Sequence, residues 1–271
     1  MNKVERLEFI DSHMHLLDRR FAGVREAVLA QAQEAGVTKL FCNATCEDDW
    51  LEILTVSAHF PAVVPYLGIH PWFGDRVRSG WGKRLEELVI AHRCGIGETG
   101  LDRKCPVDMK IQLELFTTQL QLAADYRRPL VVHCLDCWGK LLEVLEQRKK
   151  EGLLPLTMIH SFNGSVETMR RLVRLGCFIS FSMNLLDPER EKLRNALQET
   201  PIAHLLLETD APDQLPTSRK IVGSGDQACN EPANIPELYR LAANLHHTDL
   251  QDFCRQIKQN GTLFTDSTLP R

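Results

Sequence analysis

A (β/α)8 barrel is the fold this sequence predicts, and three observations predict it. Eight short apolar runs rich in β-branched residues alternate with segments of helical period from one end of the chain to the other. Strict alternation implies parallel strands joined by right-handed crossovers, and eight such units fit a closed barrel better than an open sheet. The length of 271 residues matches what such a barrel takes as one unit, about 250 residues, so 1–271 is read as a single domain. The competing architecture, a doubly wound sheet, wants a glycine-rich phosphate loop after its first strand, and Asp11-Ser12-His13-Met14-His15 stands there instead.

In chain order, the strand runs are Leu7 to Asp11, Lys39 to Ala44, Ala62 to Ile69, Cys94 to Glu98, Leu130 to His133, Leu156 to His160, Cys177 to Phe181 and His204 to Glu208. Between them the apolar spacing changes to the helical period. Val24, Val28, Ala32 and Ala35 share one face, as do Leu113, Phe116, Leu120 and Ala123, and Trp138, Leu141, Leu142 and Leu145. Asn234 reads as a helix cap, with Pro236 in the first turn and Glu237 three positions on. Thr248 and Gln251 form a second capping-box pattern. Glycine, proline and polar residues mark Phe73 to Gly82 and Asp213 to Pro232 as the long loops.

The composition is that of an ordinary globular protein, 44% hydrophobic and 25% charged, which excludes a disordered or collagen-like chain. A net charge of -4 argues against a wide basic face for nucleic acid and leaves room for a local cationic cleft. Nine cysteines without a framework read as free thiols, and no run reaches the ~18 apolar residues of a membrane helix. The expectation is a soluble cytoplasmic protein with no membrane contact and no obligate protein partner.

His13 and His15 close the first strand run. Alternate side chains of an extended chain point the same way, so the two imidazoles can meet one metal ion. Glu98 ends the fourth run, His133 the fifth and His160 the sixth, and Asp210 follows the eighth. In a barrel the C-terminal strand ends converge on one mouth, where catalytic groups collect. Two ions ~3.5–4 Å apart need a bridging group with two oxygens, and Glu98, from the middle of the strand order, fits that role. The nitrogen and oxygen donors suit one or two divalent ions, Zn, Mn or Co, with Mg tolerated. Asp210 can bind an ion and also accept the proton of an attacking water, or serve as ligand only.

Other residues carry two readings. His70 either faces a scissile phosphate or is a turn residue before Pro71. Trp72 and Phe73 either stack on a base or pack against the rim. Arg103 and Lys104 are phosphate contacts or an exposed charge pair. Cys134 and Cys137 read as buried thiols rather than a redox or zinc pair. Glu208 either forms a salt bridge inside the barrel or supports a metal ligand from behind.

The segments Phe9-Ile10-Asp11-Ser12-His13-Met14-His15-Leu16, Gly68-Ile69-His70-Pro71, Ile96-Gly97-Glu98-Thr99-Gly100-Leu101-Asp102, His160-Ser161-Phe162-Asn163-Gly164-Ser165 and Leu206-Leu207-Glu208-Thr209-Asp210-Ala211-Pro212 resemble, as an ordered set, the motifs of the TatD family of metal-dependent deoxyribonucleases, within the amidohydrolase-like barrels. The resemblance spans about 9–264. It implies His13, His15, Glu98 and Asp210 around one metal and Glu98, His133 and His160 around a second, in a hydrolase that cleaves DNA phosphodiester bonds. Two departures stand out. The family's fifth-strand histidine is commonly followed two residues later by arginine, where this chain has Leu135, which cannot bind an anion. Ser161 stands where cysteine or glycine is usual.

The expected function is therefore a metal-dependent hydrolase, a DNase or phosphodiesterase that uses water activated by two metal ions, with DNA or another phosphodiester as partner. A second enzyme class, acting on a cyclic amide, lactone or phosphotriester, uses the same barrel; many of those relatives bridge their metals with a modified lysine on the fourth strand, where this chain has Glu98. A non-catalytic metal-binding partner protein is the third reading. It would be expected to have lost a ligand or the base, and none is missing.

Overall fold

A computed structural model describes residues 7–215 and 229–266. The eight runs are all strands: β1 (Phe9–Met14), β2 (Val37–Asn43), β3 (Val63–Leu67), β4 (Gly95–Asp102), β5 (Leu130–Leu135), β6 (Thr157–Ile159), β7 (Phe178–Phe181) and β8 (Leu205–Leu207). They form one sheet in the order β1 to β8, each parallel to the next. The ends of the sheet meet. Asp210 N–H donates to the His13 carbonyl at 3.0 Å and His15 N–H to that of Ala211 at 2.7 Å, with a parallel bridge between Met14 and Ala211. This is the expected (β/α)8 barrel.

Three strands run past the ends that the apolar pattern predicts: β1, β4 and, to Leu135, β5. β1 continues through Met14 because the closing bonds to 210–211 keep its backbone extended. β4 continues to Asp102 because Thr99, Gly100, Leu101 and Asp102 pair with Val132, His133, Cys134 and Leu135. That pairing depends on Gly100, at φ +145°, where an added Cβ would lie 2.0 Å from the His133 carbonyl oxygen.

The connecting helices are α1 (Arg25–Glu34), α2 (Trp50–His59), α3 (Trp81–Ala91), α4 (Met109–Asp125), α5 (Trp138–Lys150), α6 (Val166–Leu175) and α7 (Glu191–Glu199), followed by α8 (Ile235–Leu245) and α9 (Leu250–Asp266). The expected apolar faces are buried in α4 through Phe116, Leu120 and Ala123 and in α5 through Leu141, Leu142 and Leu145. In α1 the buried face is Val28, Leu29 and Ala32; Val24 precedes the first turn and is exposed.

Both expected caps differ. A 3-10 turn, Pro232–Asn234, runs directly into α8, so the Asn234 backbone is already helical, at φ -84° and ψ -15°. Its side chain makes no capping bond and donates instead to Asn230 Oδ1 at 3.0 Å. At α9 the cap is one residue later than Thr248: Asp249 Oδ1 accepts from the backbone N–H of Gln251 at 2.8 Å and of Asp252 at 3.3 Å. A free carboxylate oxygen competes better for amide protons than a hydroxyl. The expected loop from Asp213 to Pro232 lies partly outside the described residues.

Packing closes the barrel end opposite the mouth. Phe264 of α9 lies 6.1 Å from both Phe41 of β2 and Tyr66 of β3, and 5.8 Å from Phe178 of β7, ring centre to ring centre. A ring that touches the adjacent strands β2 and β3 and also β7 across the barrel must plug the barrel floor, which leaves the C-terminal strand ends as the open face. Tyr239 of α8 straps β1 from outside: its hydroxyl donates to the Ile10 carbonyl at 2.8 Å and accepts from the Ile10 N–H at 3.1 Å. Among the described residues no helix is long and apolar enough to cross a membrane.

Candidate metal centre

Glu98 is buried in β4 at the middle of the mouth, and its two oxygens face different histidines. Oε2 lies 3.3 Å from both His13 Nε2 and His15 Nε2 on the β1 side. Oε1 lies 2.7 Å from His160 Nε2 and 3.1 Å from His133 Nδ1, on the β6 and β5 side. Asp210 completes the first group, with Oδ1 3.7 Å from His13 Nε2 and 3.8 Å from His15 Nε2. It follows β8 at φ +56°, a left-handed conformation that aspartate tolerates better than most residues. The groups overlap: the ligand atoms of His13, His160 and Asp210 also lie within 4.8 Å of one another, and the His13 and His160 rings stack at 3.9 Å.

Outer partners decide which ring nitrogen faces inward with its lone pair. His15 Nδ1–H donates to the Asn43 carbonyl at 3.1 Å. His133 Nε2–H donates to Asp102 Oδ2 at 3.2 Å, and His160 Nδ1–H to Glu208 Oε1 at 3.3 Å. Each turns its other nitrogen inward, where a cation could take the place of a proton. His70 is oriented the other way. Its Nδ1 accepts from the Trp72 backbone N–H at 3.2 Å, so Nε2 carries the proton and points it at Glu98 Oε1, 3.5 Å away. His70 is thus built to donate into the site.

The side chains present fit divalent cations. Paired inward nitrogens lie 3.2 Å apart for His13 and His15 and 3.1 Å for His133 and His160, close to the edge of about 3.4 Å of a tetrahedron with metal–nitrogen bonds near 2.1 Å. The charges agree. Burial alone would raise the Glu98 pKa, but facing His160, His70 and His13 hold it well below the usual carboxylate range. Burial lowers His13 to about 4 and His70 to about 3, so both are neutral near pH 7. Burial also works to lower His133 and His160, but carboxylates outweigh it: Asp102 and Glu98 raise His133, and Glu98 and Glu208 raise His160 well above its usual value. Burial pushes Asp210 up to about 7.

These groups open into a cavity of about 410 Å3 whose wall also includes Leu17, Asp18, Asn43, Thr45, Asp49, Trp72, Phe73 and Asp213. A family model described as TatD related DNase matches residues 10–264. The chain belongs to the TatD-related DNase family. It is 32% identical over 209 residues to the metal-dependent hydrolase YjjV of Escherichia coli, covering 76% of this chain and 80% of that protein. It is 30% identical over 260 residues to the 3'-5' ssDNA/RNA exonuclease TatD of Dickeya dadantii, covering 93% and 95%. The crystal structure of E. coli YjjV superposes with a TM-score of 0.85 at 27% identity, covering 97% of this chain and 98% of that one. As a TatD-family protein with these clusters in place, the chain is a metal-dependent hydrolase.

Of the residues singled out in this TatD-family sequence, His13, His15, Glu98, His133, His160 and Asp210 converge, and His70 joins them. Arg103 does not line the cavity. Asp102 turns inward, and the next residue, Arg103, turns the other way: its backbone N–H donates to the Leu135 carbonyl at 3.0 Å and its guanidinium works to lower the pKa of the Cys137 thiol. Lys104 Nζ lies 3.5 Å from Asp136 Oδ2. Cys134 and Cys137 are buried free thiols, as read from the sequence. Glu208 supports a histidine from behind, held by the Ser161 N–H at 2.6 Å and the Ser180 hydroxyl at 2.5 Å.

Sequence reasoning gave Asp102 and Gln214 no role. Asp102 Oδ2 accepts from both His133 and the Trp72 indole, the latter at 2.7 Å; its spacing of four from Glu98 in an extended strand was the available signal. Gln214 Nε2 donates to Asp210 Oδ2 and to the Ser161 hydroxyl, and nothing in the local sequence marks it.

Proposed function

We propose that the protein is a metal-dependent phosphodiesterase that hydrolyses the backbone of nucleic acid, single-stranded DNA foremost, with 1–271 as one catalytic barrel. The family's DNase description and the exonuclease name of the Dickeya dadantii relative support nucleic acid as substrate. The observation that carries the reading is the division of Glu98 between two histidine pairs, which is what a bridge between two cations requires. In this reading His13, His15, Asp210 and Glu98 would hold one divalent ion, and Glu98, His133 and His160 would hold the other.

Bound cations supply Lewis-acid charge at the attacking and leaving oxygens of an in-line displacement. Asp210 takes the proton of the attacking water. Burial alone raises this carboxyl, a bound cation would lower it again, and Gln214 holds its second oxygen. His70 donates its Nε2–H to a non-bridging phosphate oxygen. Arg103 and Lys104, exposed beyond β4 and outside the cavity wall, add no contact to the reacting phosphate. The nine free thiols support a cytoplasmic setting.

The test is incubation of purified protein, reconstituted with Mg, Mn, Co or Zn, with single-stranded DNA, RNA and a simple phosphodiester, with product ends mapped. Metal-dependent release of nucleotides from DNA is expected. Turnover of a cyclic amide or lactone with intact DNA would overturn the reading.

A further inference from the structure

The cavity holds one large apolar surface that the metal centre does not use. Of the four tryptophans, Trp50 is buried and Trp81 and Trp138 are half-buried, whereas Trp72 is 46% exposed and lines the cavity with Glu98, His133 and Asp210. Its orientation is fixed. Indole Nε1–H donates to Asp102 Oδ2 at 2.7 Å, and the backbone N–H donates to His70 Nδ1 at 3.2 Å. Both partners also face the metal centre: Asp102 through His133, and His70 through Glu98. Only one carboxylate and one imidazole therefore separate the indole nitrogen from Glu98.

An indole anchored by its polar edge with its apolar face open is at odds with burial of apolar area, which stabilises a protein at about 25 cal/mol per Å2; a ring held out this way has a ligand's flat face as its natural complement. The rest of the wall narrows the class of ligand. Among the described residues no lysine or arginine lines the cavity. The neighbouring Arg20 is spent on Asp18, 2.9 Å from its Nε, and on Asp213, 2.7 Å from its Nη1. A polyanion entering here finds little cationic grip on its backbone, so affinity beyond the reacting phosphate must come from another part of the nucleotide.

We infer that Trp72 is the platform on which a nucleobase of the substrate stacks while the adjoining phosphate sits at Glu98. The inference rests on the phosphodiesterase reading above. Stacking on a side chain uses the π face that every base has, so the subsite tolerates any base. It requires that base to be unpaired and unstacked, which selects single strands and frayed ends over duplex.

The test uses two oligonucleotides that differ only in whether the terminal nucleotide carries a base or is abasic. Wild-type protein should show a higher kcat/KM on the base-bearing end. Trp72→Ala should collapse that ratio toward one, a loss of about 5- to 150-fold, and Trp72→Phe, which keeps a ring but not the bond to Asp102, should retain most of it. A wild-type ratio near one, or a Trp72→Ala loss equal on both substrates, overturns the platform and leaves the nuclease reading standing. A binding measurement separates the two further. 2'-Deoxyadenosine 5'-monophosphate should quench the tryptophan emission of the metal-loaded protein, and the quench should vanish in Trp72→Phe. A Trp72-dependent quench without DNA hydrolysis keeps the platform and removes the nuclease reading; no such quench overturns the platform.

Discussion

On the Oε2 side of Glu98, His15 rests on a neutral backbone carbonyl and His13 Nδ1 has no hydrogen-bond partner among the described residues. On the Oε1 side, His133 and His160 both rest on carboxylates, Asp102 and Glu208. The anions are thus arranged in opposite ways. The Oε2 side has its extra carboxylate, Asp210, in front, where it can touch cation and substrate. The Oε1 side has its carboxylates behind the imidazoles, where they strengthen the ligands and cannot reach a reacting atom. In the proposed reaction the difference would divide the labour: the β1 side would take up the water's proton, and the β5 and β6 side would hold charge in place.

Glu98→Gln strikes both sides at once and should have the largest effect. Loss of activity should exceed that of any single-side variant, metal content measured by plasma mass spectrometry should drop on both sides, and circular dichroism should stay native, since barrel stability resides in the packed layers below the mouth. Full metal content with retained activity would falsify the bridge. Asp210→Asn should follow, with turnover lower by about 10²–10⁴ while the Oε1 side still binds its ion. If both ions leave together, the two sides are not separable as described.

Asp102→Asn and Glu208→Gln should each weaken metal binding by roughly 10- to 100-fold, and only on the Oε1 side. Equal weakening of both sites in a calorimetric titration would contradict the contrast. The smallest effect concerns the rim. Leu135, two residues beyond His133 in β5, puts an apolar side chain where a cation could meet a phosphate, so single-stranded DNA binding should depend weakly on salt. Leu135→Arg should steepen the slope of log K against log salt by about 0.7, one added phosphate contact. A steep slope in the wild-type protein would instead assign the backbone grip to Arg103 and Lys104.

Much of this site was legible in the sequence because barrel geometry converts chain position into place: a residue at the C-terminal end of a strand faces the mouth wherever the strand lies. His13, His15, Glu98, His133 and His160 became a cluster by that rule alone. What the rule does not carry is the direction of a proton or the lean of a side chain. His70 sits at a strand end like the others, yet the Trp72 backbone N–H fixes it as a donor. Arg103 follows an inward-facing aspartate and points at Cys137. Asp102 went unassigned because the apolar run of β4 stops near Glu98, while the strand itself continues by pairing with β5. Asn234 and Thr248 failed as caps for a similar reason: one-residue choices between competing oxygens are settled by the backbone geometry around them.

The seam between first and last strands has a consequence for how the protein is made. Asp11 and Thr209 are 198 positions apart, and they clasp across the seam: Thr209 donates to the buried Asp11 carboxylate from its N–H at 2.9 Å and from its hydroxyl at 2.5 Å. His13 and His15 stand on one side of that clasp and Asp210 on the other. During synthesis the two histidines leave the ribosome well before their aspartate, which follows only after the seven further strands β2 to β8. A chain still short of β8 therefore has no complete Oε2 group, and in the proposed two-ion reading that group would be assembled only at ring closure, the step with the longest loop to close.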